Sequence, residues 1–416
     1  MKNISKYNYL FISVGCFILI GLMSLTYSKF SYEKELSGNV VTVKPPTFSE
    51  SLVESARNNL DTNVNFGSNS SETNGIGLMM RDGTQNDEYP IVYYRGDVAN
   101  NNVIFVDLCW LIVRTTETGG IKLVFNGPVV ENADGTESCT NYSGVGGQTA
   151  NTNYTDVFAG NTTTKFNTSY DFPVPVYVGY MYNDTNTYVT LDSNGVFASF
   201  DGNGYIAHLS DNTIDSTTGR HTQNLKDSTI KGVVDDWYEA NIKGKPEESL
   251  LEDTVWCNDR SVISETYSIE NLANGTNSKF NFAAFTRLYE NRSTTGVTPS
   301  LACTRDMDKF TVDLENGNGD LAYPIGILTA DEINLAGYPY ISSQTTYLTL
   351  TSGGFWSLSP FGFLSHVAGA FDVRGGELGY DFAGASDLGV RASVSLGHGA
   401  TITEGDGSFQ SPYRIS

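Results

Sequence analysis

The sequence predicts an α+β fold, strand-rich with few short helices, preceded by one N-terminal transmembrane helix. Three observations predict it: a charge-free apolar run from Tyr9 to Tyr27, repeated runs of Val, Ile, Tyr and Phe between Gly-, Asn- and Thr-rich turns, and only a few capped amphipathic segments. Aliphatic, aromatic and Cys residues make up 39% of the 416 residues, beside 42 Gly, which is enough apolar material for a core and excludes a disordered chain. Lys and Arg number 25 against 47 Asp and Glu, and the resulting net charge of -22 repels phosphate backbones, so no nucleic acid is expected as partner.

Lys2 and Lys6 precede the apolar run, whose length suits a bilayer-spanning helix, and they place everything after Lys29 on the outer side. For residues 1–28 a retained signal anchor and a cleaved signal peptide both stay open. Thr26 and Ser28 are small enough for a cleavage site, whereas the run is long for a signal-peptide core and ends without Ala. Cys16 falls inside the run and reads as a buried apolar residue. The other cysteines, Cys109, Cys139, Cys257 and Cys303, are an even number in an exported chain and allow two disulfides with three connectivities. Cys109 with Cys139 and Cys257 with Cys303 is preferred, because each pair closes a modest loop within one half of the chain; free buried thiols are the alternative. With no Cys-x-x-Cys and no Cys-His cluster, neither a metal nor a cofactor is expected.

Residues 29–76 read as a spacer in which one short helix can form: Thr47 and Glu50 have capping-box spacing, and Val53, Ala56 and Leu60 share a face. From Asp61 to Gly77 there is little to bury, so the folded body is expected to start near Gly77. In its N-terminal part, 77–245, three apolar runs from Ile91 to Phe125 form an antiparallel meander that turns at Asn100–Asn102 and Glu117–Gly120. Long surface loops are expected from Val129 to Phe172, and a strand from Val174 to Tyr182. Asp227 or Ser228 caps a helix whose Ile230, Val233, Val234 and Trp237 form one stripe, which should pack on the sheet.

The C-terminal part, 246–416, begins its regular structure with a helix from Thr329 to Ala336, opened by the Thr329 and Glu332 capping box and stopped by Gly337. A hairpin follows. Phe371 and Val373 point one way, Asp372 and Arg374 the other, Gly375 and Gly376 turn the chain, and Leu378, Tyr380 and Phe382 resume the alternation. Val390, Ala392, Val394 and Leu396 form a last inward stripe, with Arg391, Ser393 and Ser395 on the opposite face.

No residue pattern announces a reaction. His208, His221, His366 and His398 stand in no metal-ligand repeat and read as loop histidines. Asp201 with Asn203, and the run Asp313 to Asp320, lack the EF-hand spacing; an irregular calcium site stays open there. A Gly-x-Ser-x-Gly elbow, a phosphate loop and a His-Glu-x-x-His are all missing, and Asp235 with Asp236 reads as the wet face of a helix. Trp356 and Arg391 read as a core Trp and a structural Arg.

Tyr93-Tyr94-Arg95-Gly96-Asp97-Val98, Cys109-Trp110-Leu111-Ile112-Val113-Arg114, Trp256-Cys257-Asn258-Asp259-Arg260-Ser261 and Tyr323 to Glu332 together resemble a group of exported proteins of uncharacterised activity from Gram-positive gut bacteria. The end of the chain, with Phe355-Trp356-Ser357-Leu358-Ser359-Pro360, Gly389-Val390-Arg391 and Gly405-Asp406-Gly407-Ser408, resembles the closing section of the C-type-lectin fold in its formylglycine-generating-enzyme version. That resemblance implies a C-type-lectin-like body. It does not carry over an activity, because the last cysteine, Cys303, lies outside the matching section and the sugar-binding Glu-Pro-Asn, Gln-Pro-Asp and Trp-Asn-Asp stretches are missing.

One compositional break points to recognition. Up to Asn334 there are 36 Asn, and none in the 82 residues from Leu335 to Ser416. Between Ser357 and Leu396, apart from Glu377, the residue types are those reached when both adenines of Asn codons are randomised, which resembles the targets of diversity-generating retroelements; a tightly packed Gly-, Ser- and Ala-rich sheet is the competing reading. The expected function is therefore an extracytoplasmic, membrane-anchored ligand-binding or adhesion protein, not an enzyme. Its partners would be the membrane, through the N-terminal helix, and a surface protein or glycan. Phe361, Phe363, His366, Asp372, Arg374, Glu377 and Asp381 would form the exposed ligand-binding face. An exported enzyme acting on cell-wall or glycan material and a structural surface component are the alternatives.

Overall fold

The computed structural model describes residues 45–68, 77–168, 175–183, 213–263, 279–293, 295–340, 345–364, 367–385 and 387–416, with isolated short stretches at 34–36, 39–41, 189–191, 197–200 and 343. The apolar run from Tyr9 to Tyr27 lies outside them. Among the described residues no helix is long and apolar enough to cross a membrane.

In chain order the elements that build the body are α1 (Phe48–Ala56), β1 (Leu78–Met80), β2 (Val92–Tyr94), β3 (Asn102–Phe105), β4 (Leu108–Thr115), β5 (Ile121–Pro128), β6 (Thr163–Thr164), α2 (Thr229–Asn241), β7 (Val262–Ile263), β8 (Lys279–Phe282), α3 (Ala283–Leu288), β9 (Ile325–Gly326) and α4 (Ala330–Leu335). They continue with β10 (Gly354–Leu364), β11 (Val367–Arg374), β12 (Glu377–Phe382), β13 (Leu388–Gly389), β14 (Ser393–Leu396), β15 (Ile402–Glu404) and β16 (Tyr413–Ile415). The fold is α+β and strand-rich, with few short helices.

Two large sheets carry it. The first runs β9-β14-β5-β4-β3-β16-β15, with β2 joined to β4 and β1 to β2; the second runs β6-β13-β10-β8-β7, with β11 on β10 and β12 at the outer edge on β11. Strands from residues 77–245 and from 246–416 share both sheets. Most pairs are antiparallel, while β16 lies parallel to β3 and β13 parallel to β10.

Local chemistry explains why these segments form. Thr47 and Glu50 close a capping box on α1, Ser228 caps α2 by accepting from the Lys231 N–H, and Thr329 with Glu332 closes a second box on α4. The expected stripe on α2 buries Ile230, Val234 and Trp237. Trp237 docks on the first sheet, its ring 4.8 Å from Phe125 and 5.8 Å from Trp110. Both disulfides follow the preferred connectivity, Cys109–Cys139 and Cys257–Cys303, closing separations of 30 and 46 residues.

The folded body begins well before Gly77. Phe48, Leu52 and Ala56 of α1 are buried, Phe48 donates its N–H to Ala400 O at 3.0 Å, and its ring meets Tyr413 at 5.2 Å. Asp61 is buried too, accepting from the Tyr93 hydroxyl at 3.1 Å and from the Asp82 N–H at 2.7 Å, and Phe66 lies under the guanidiniums of Arg81 and Arg95. A polar composition read as a spacer is here a strap held by specific partners.

Three further expectations change. Residues 175–178 form a 3₁₀ turn, leaving only Met181–Tyr182 as strand, paired with Lys226–Asp227. From Val129 to Thr168 the described residues are mostly irregular as expected, with two-residue strands at Val130–Glu131, Glu137–Ser138 and Thr163–Thr164, yet Val157, Phe158, Ala159 and Phe166 enter the core. On β14 both faces are buried. The Ser395 hydroxyl shares a hydrogen bond with Thr254 at 2.7 Å and the Ser393 hydroxyl donates to Leu123 O, so small polar side chains take the place of a wet face.

Candidate functional site

The β11–β12 hairpin forms in the expected register, with Arg374 opposite Glu377 and the two-residue turn Gly375-Gly376 at φ +58° and +80°. Both turn residues need the left-handed region, which glycine enters without a Cβ clash. The seven residues expected on one exposed face do not share it. Phe361 is 3% exposed and belongs to the apolar face, stacked on Tyr380 at 3.8 Å and edge-on to Phe285 and Phe371. Phe363 pairs through its backbone with Phe280 and Ala368, and His366 lies outside the described residues.

Asp372 is on the opposite face, as the alternation requires, but it is 1% exposed. Its neighbour in register is Trp356, which packs edge-on against Phe166 and donates its indole N–H to Thr164 O at 2.9 Å. The chain between β5 and α2 thus covers a face that period-two geometry alone assigns to water. Arg374 reaches over this cover, half exposed, 2.9 Å from Asp372 and 2.6 Å from Asp381, while Glu377 is half-buried beside it. Burial pushes the Asp372 carboxyl up to about 7; Arg374 pulls against that shift and Asp381 adds to it. Arg374, Glu377 and Asp381 are therefore the part of the expected face that reaches solvent.

A second constellation is concave, and no single residue pattern announces it. Arg114 on β4 and Lys122 on β5 stand directly opposite each other. Two like charges in cross-strand register repel unless an anion joins them. Glu332 does so: its Oε1 accepts from Arg114 Nε at 2.8 Å and lies 2.9 Å from Lys122 Nζ, while its Oε2 closes the α4 capping box on the Thr329 N–H at 3.0 Å. All three groups are buried, and the Lys122 ammonium lies 4.0 Å from the centre of the Trp256 ring. Burial alone would raise the Glu332 carboxyl, but Lys122 and Arg114 hold it at about 2.

Beside this trio, Arg287 on α3 grips Asp331 through two hydrogen bonds, at 3.0 and 2.8 Å, and reaches Asp259 at 2.9 Å. The Ser300 N–H also donates to Asp331. Both sets of charges line one cavity of about 340 Å³, together with Ile91, Val255, Leu301 and the Cys257–Cys303 bridge. Comparison with protein families, curated proteins and solved structures gives no match. The signal that could have found the cavity lies in the sequence motifs. Arg114, Cys257, Asp259, Asp331 and Glu332 fall in the segments Cys109–Arg114, Trp256–Ser261 and Tyr323–Glu332, and Arg95 of the segment Tyr93–Val98 donates to the Asn334 and Leu335 carbonyls at the end of α4.

The remaining candidates behave as scaffold. Arg391 is buried and donates to the Phe125 and Leu348 carbonyls, and His221 is buried. His398 lies within 3.0 Å of Gly119 O. Asp235 is half-buried against Lys231, not solvated, while Asp236 is exposed. His208, Asp201 and Asn203 lie outside the described residues. Among the described residues no three His, Cys, Asp or Glu side chains are grouped to hold a metal ion.

Proposed function

We propose that this chain is an exported binding protein, anchored in the membrane through the run from Tyr9 to Tyr27. Its strand-rich body, of the C-type-lectin-like kind, presents the end of the β11–β12 hairpin to a surface protein or glycan. The observation that carries the reading is the contrast within the hairpin. Phe371, Val373 and Leu378 are buried in the core, whereas Arg374 stands half exposed at the tip, next to Glu377 and Asp381. A rigid sheet with a charged tip is a fitting scaffold for recognition. Two disulfides accord with an oxidising, extracytoplasmic setting.

The test is a glycan and surface-protein array probed with wild-type protein and with a triple variant, Asp372→Asn, Arg374→Ala and Glu377→Lys. Removing Arg374 together with the Asp372 charge avoids leaving a buried carboxylate unpaired. The expected outcome is loss of the wild-type hits at a melting temperature no lower than that of the wild type. Hits that persist in the variant would move recognition away from the hairpin, and turnover of an arrayed glycan would favour the enzyme reading.

A further inference from the structure

The cavity behind the Cys257–Cys303 bridge divides its charge unevenly. At one end Arg114 and Lys122 share the single buried carboxylate of Glu332. The next anion, Glu117, is 3.5 Å from Arg114 with its side chain 51% exposed, so it is a loose and replaceable partner. At the other end the arithmetic reverses, because Asp259 and Asp331 share the single guanidinium of Arg287, while the remaining lining cation, Lys309, is already paired with Asp306 at 2.8 Å. Ile91, Val255 and Leu301 supply apolar wall to the same cavity.

A surplus cation at one end, a surplus anion at the other and an aliphatic wall are the negative image of a small zwitterion. We infer that this cleft binds an aliphatic α-amino acid, its carboxylate toward Arg114 and Lys122, its ammonium toward Asp259 and Asp331, and its side chain against Leu301 and Val255. The volume of about 340 Å³ stands at the lower end of the range that small-molecule pockets occupy.

The ionisation of the walls agrees with that orientation. Burial depresses the Lys122 ammonium and Arg114 adds to the shift, so an incoming carboxylate relieves both cations. Burial raises the Asp331 carboxyl and Asp259 adds to that shift, so an incoming ammonium relieves the acidic end. Glu117 can turn outward when a ligand carboxylate takes its place beside Arg114. The ligand is set in position by fixed pairs on β4, β5, α3 and α4, and none of these groups has to move.

The experiment is isothermal titration of the oxidised protein with L-leucine, N-acetyl-L-leucine, L-leucinamide and acetate at one salt concentration. L-leucine is expected to bind, and blocking either charged end should weaken it roughly tenfold or more, the usual loss for one charge-assisted hydrogen bond in a partly buried site. Glu117→Gln, at a half-exposed position, should tighten L-leucine by freeing Arg114. Leu301→Trp, which fills the apolar wall, should abolish binding while the melting temperature holds. The inference is overturned if no probe binds at millimolar concentration, if acetate or leucinamide binds as well as L-leucine, or if Leu301→Trp still binds. None of these results bears on the hairpin.

Discussion

Asp372 shows how one carboxylate can be legible in position and misread in environment. Its place on the charged face follows from the alternation along β11, but its burial under Trp356 and the chain around Phe166 depends on a segment some two hundred residues earlier. Its Oδ2 is 2.9 Å from Arg374 in an ionic contact whose geometry makes no hydrogen bond. The folded-state value is raised from 3.8 to about 7, so its contribution to stability is full below about pH 4 and is lost as pH rises through about 7. Asp372→Asn should flatten that loss and leave the protein more stable than wild type above neutrality, by a few kcal/mol at most, since each tenfold change in a protonation equilibrium corresponds to about 1.4 kcal/mol. Urea midpoints measured across this pH range check it. Parallel pH profiles for the two proteins would mean that Asp372 is better solvated than its burial indicates.

Elements are legible where local chemistry defines them and illegible where a distant contact does. The three capped helices and the Gly375-Gly376 hairpin carry their own signals, an Oγ acceptor at the start of each helix or two residues free to take positive φ. The turn between β3 and β4 carries none. Val106 and Asp107 adopt φ of +52° and +59°, the same left-handed pair as the glycine turn, with residues that normally avoid it. In sequence β3 and β4 consequently run together as one strand, when they are a tight hairpin. Trp110 explains how the conformation persists, because its indole N–H donates to Phe105 O at 3.0 Å and clamps the loop from inside. Asp107→Gly should relieve the local cost and stabilise the protein by roughly 0.5–1 kcal/mol, offset in part by the loss of an exposed contact to Lys245 at 3.2 Å. Thermal melting decides it; a lower midpoint would show that the Asp107 side chain holds the turn. The cavity is legible only in part: Arg114, Asp259 and Glu332 fall in the motif segments, but Lys122 and Arg287 do not, and only the pairing of β4 with β5 and the docking of α3 and α4 bring the five together.

At the scale of the whole molecule the two disulfides have different situations, and that difference is open to measurement. Cys109–Cys139 ties β4 to the loop that follows β5, with both residues buried. Cys257–Cys303 is half-buried at the wall of the charged cavity, and Cys303 leads into the segment that holds Arg305 and Asp308 against Arg260. In the chain-entropy account each bridge contributes roughly 3.5–4 kcal/mol, the longer loop only a few tenths more, so thermodynamics barely separates them. Access does separate them, because a thiolate must reach a sulfur in line to exchange with it. Limited treatment with a small dithiol, followed by alkylation and peptide mapping, should therefore label Cys257 and Cys303 while Cys109 and Cys139 remain bridged. Once the less buried bridge opens, the loop through Ser300 loses its tether. Its N–H contact to Asp331 should loosen, and L-leucine binding in the cavity should fall, before the far-ultraviolet circular dichroism changes. Simultaneous labelling of all four cysteines would instead mean that the body unfolds as one cooperative unit before either bridge becomes accessible, and the cavity would then be no more labile than the core.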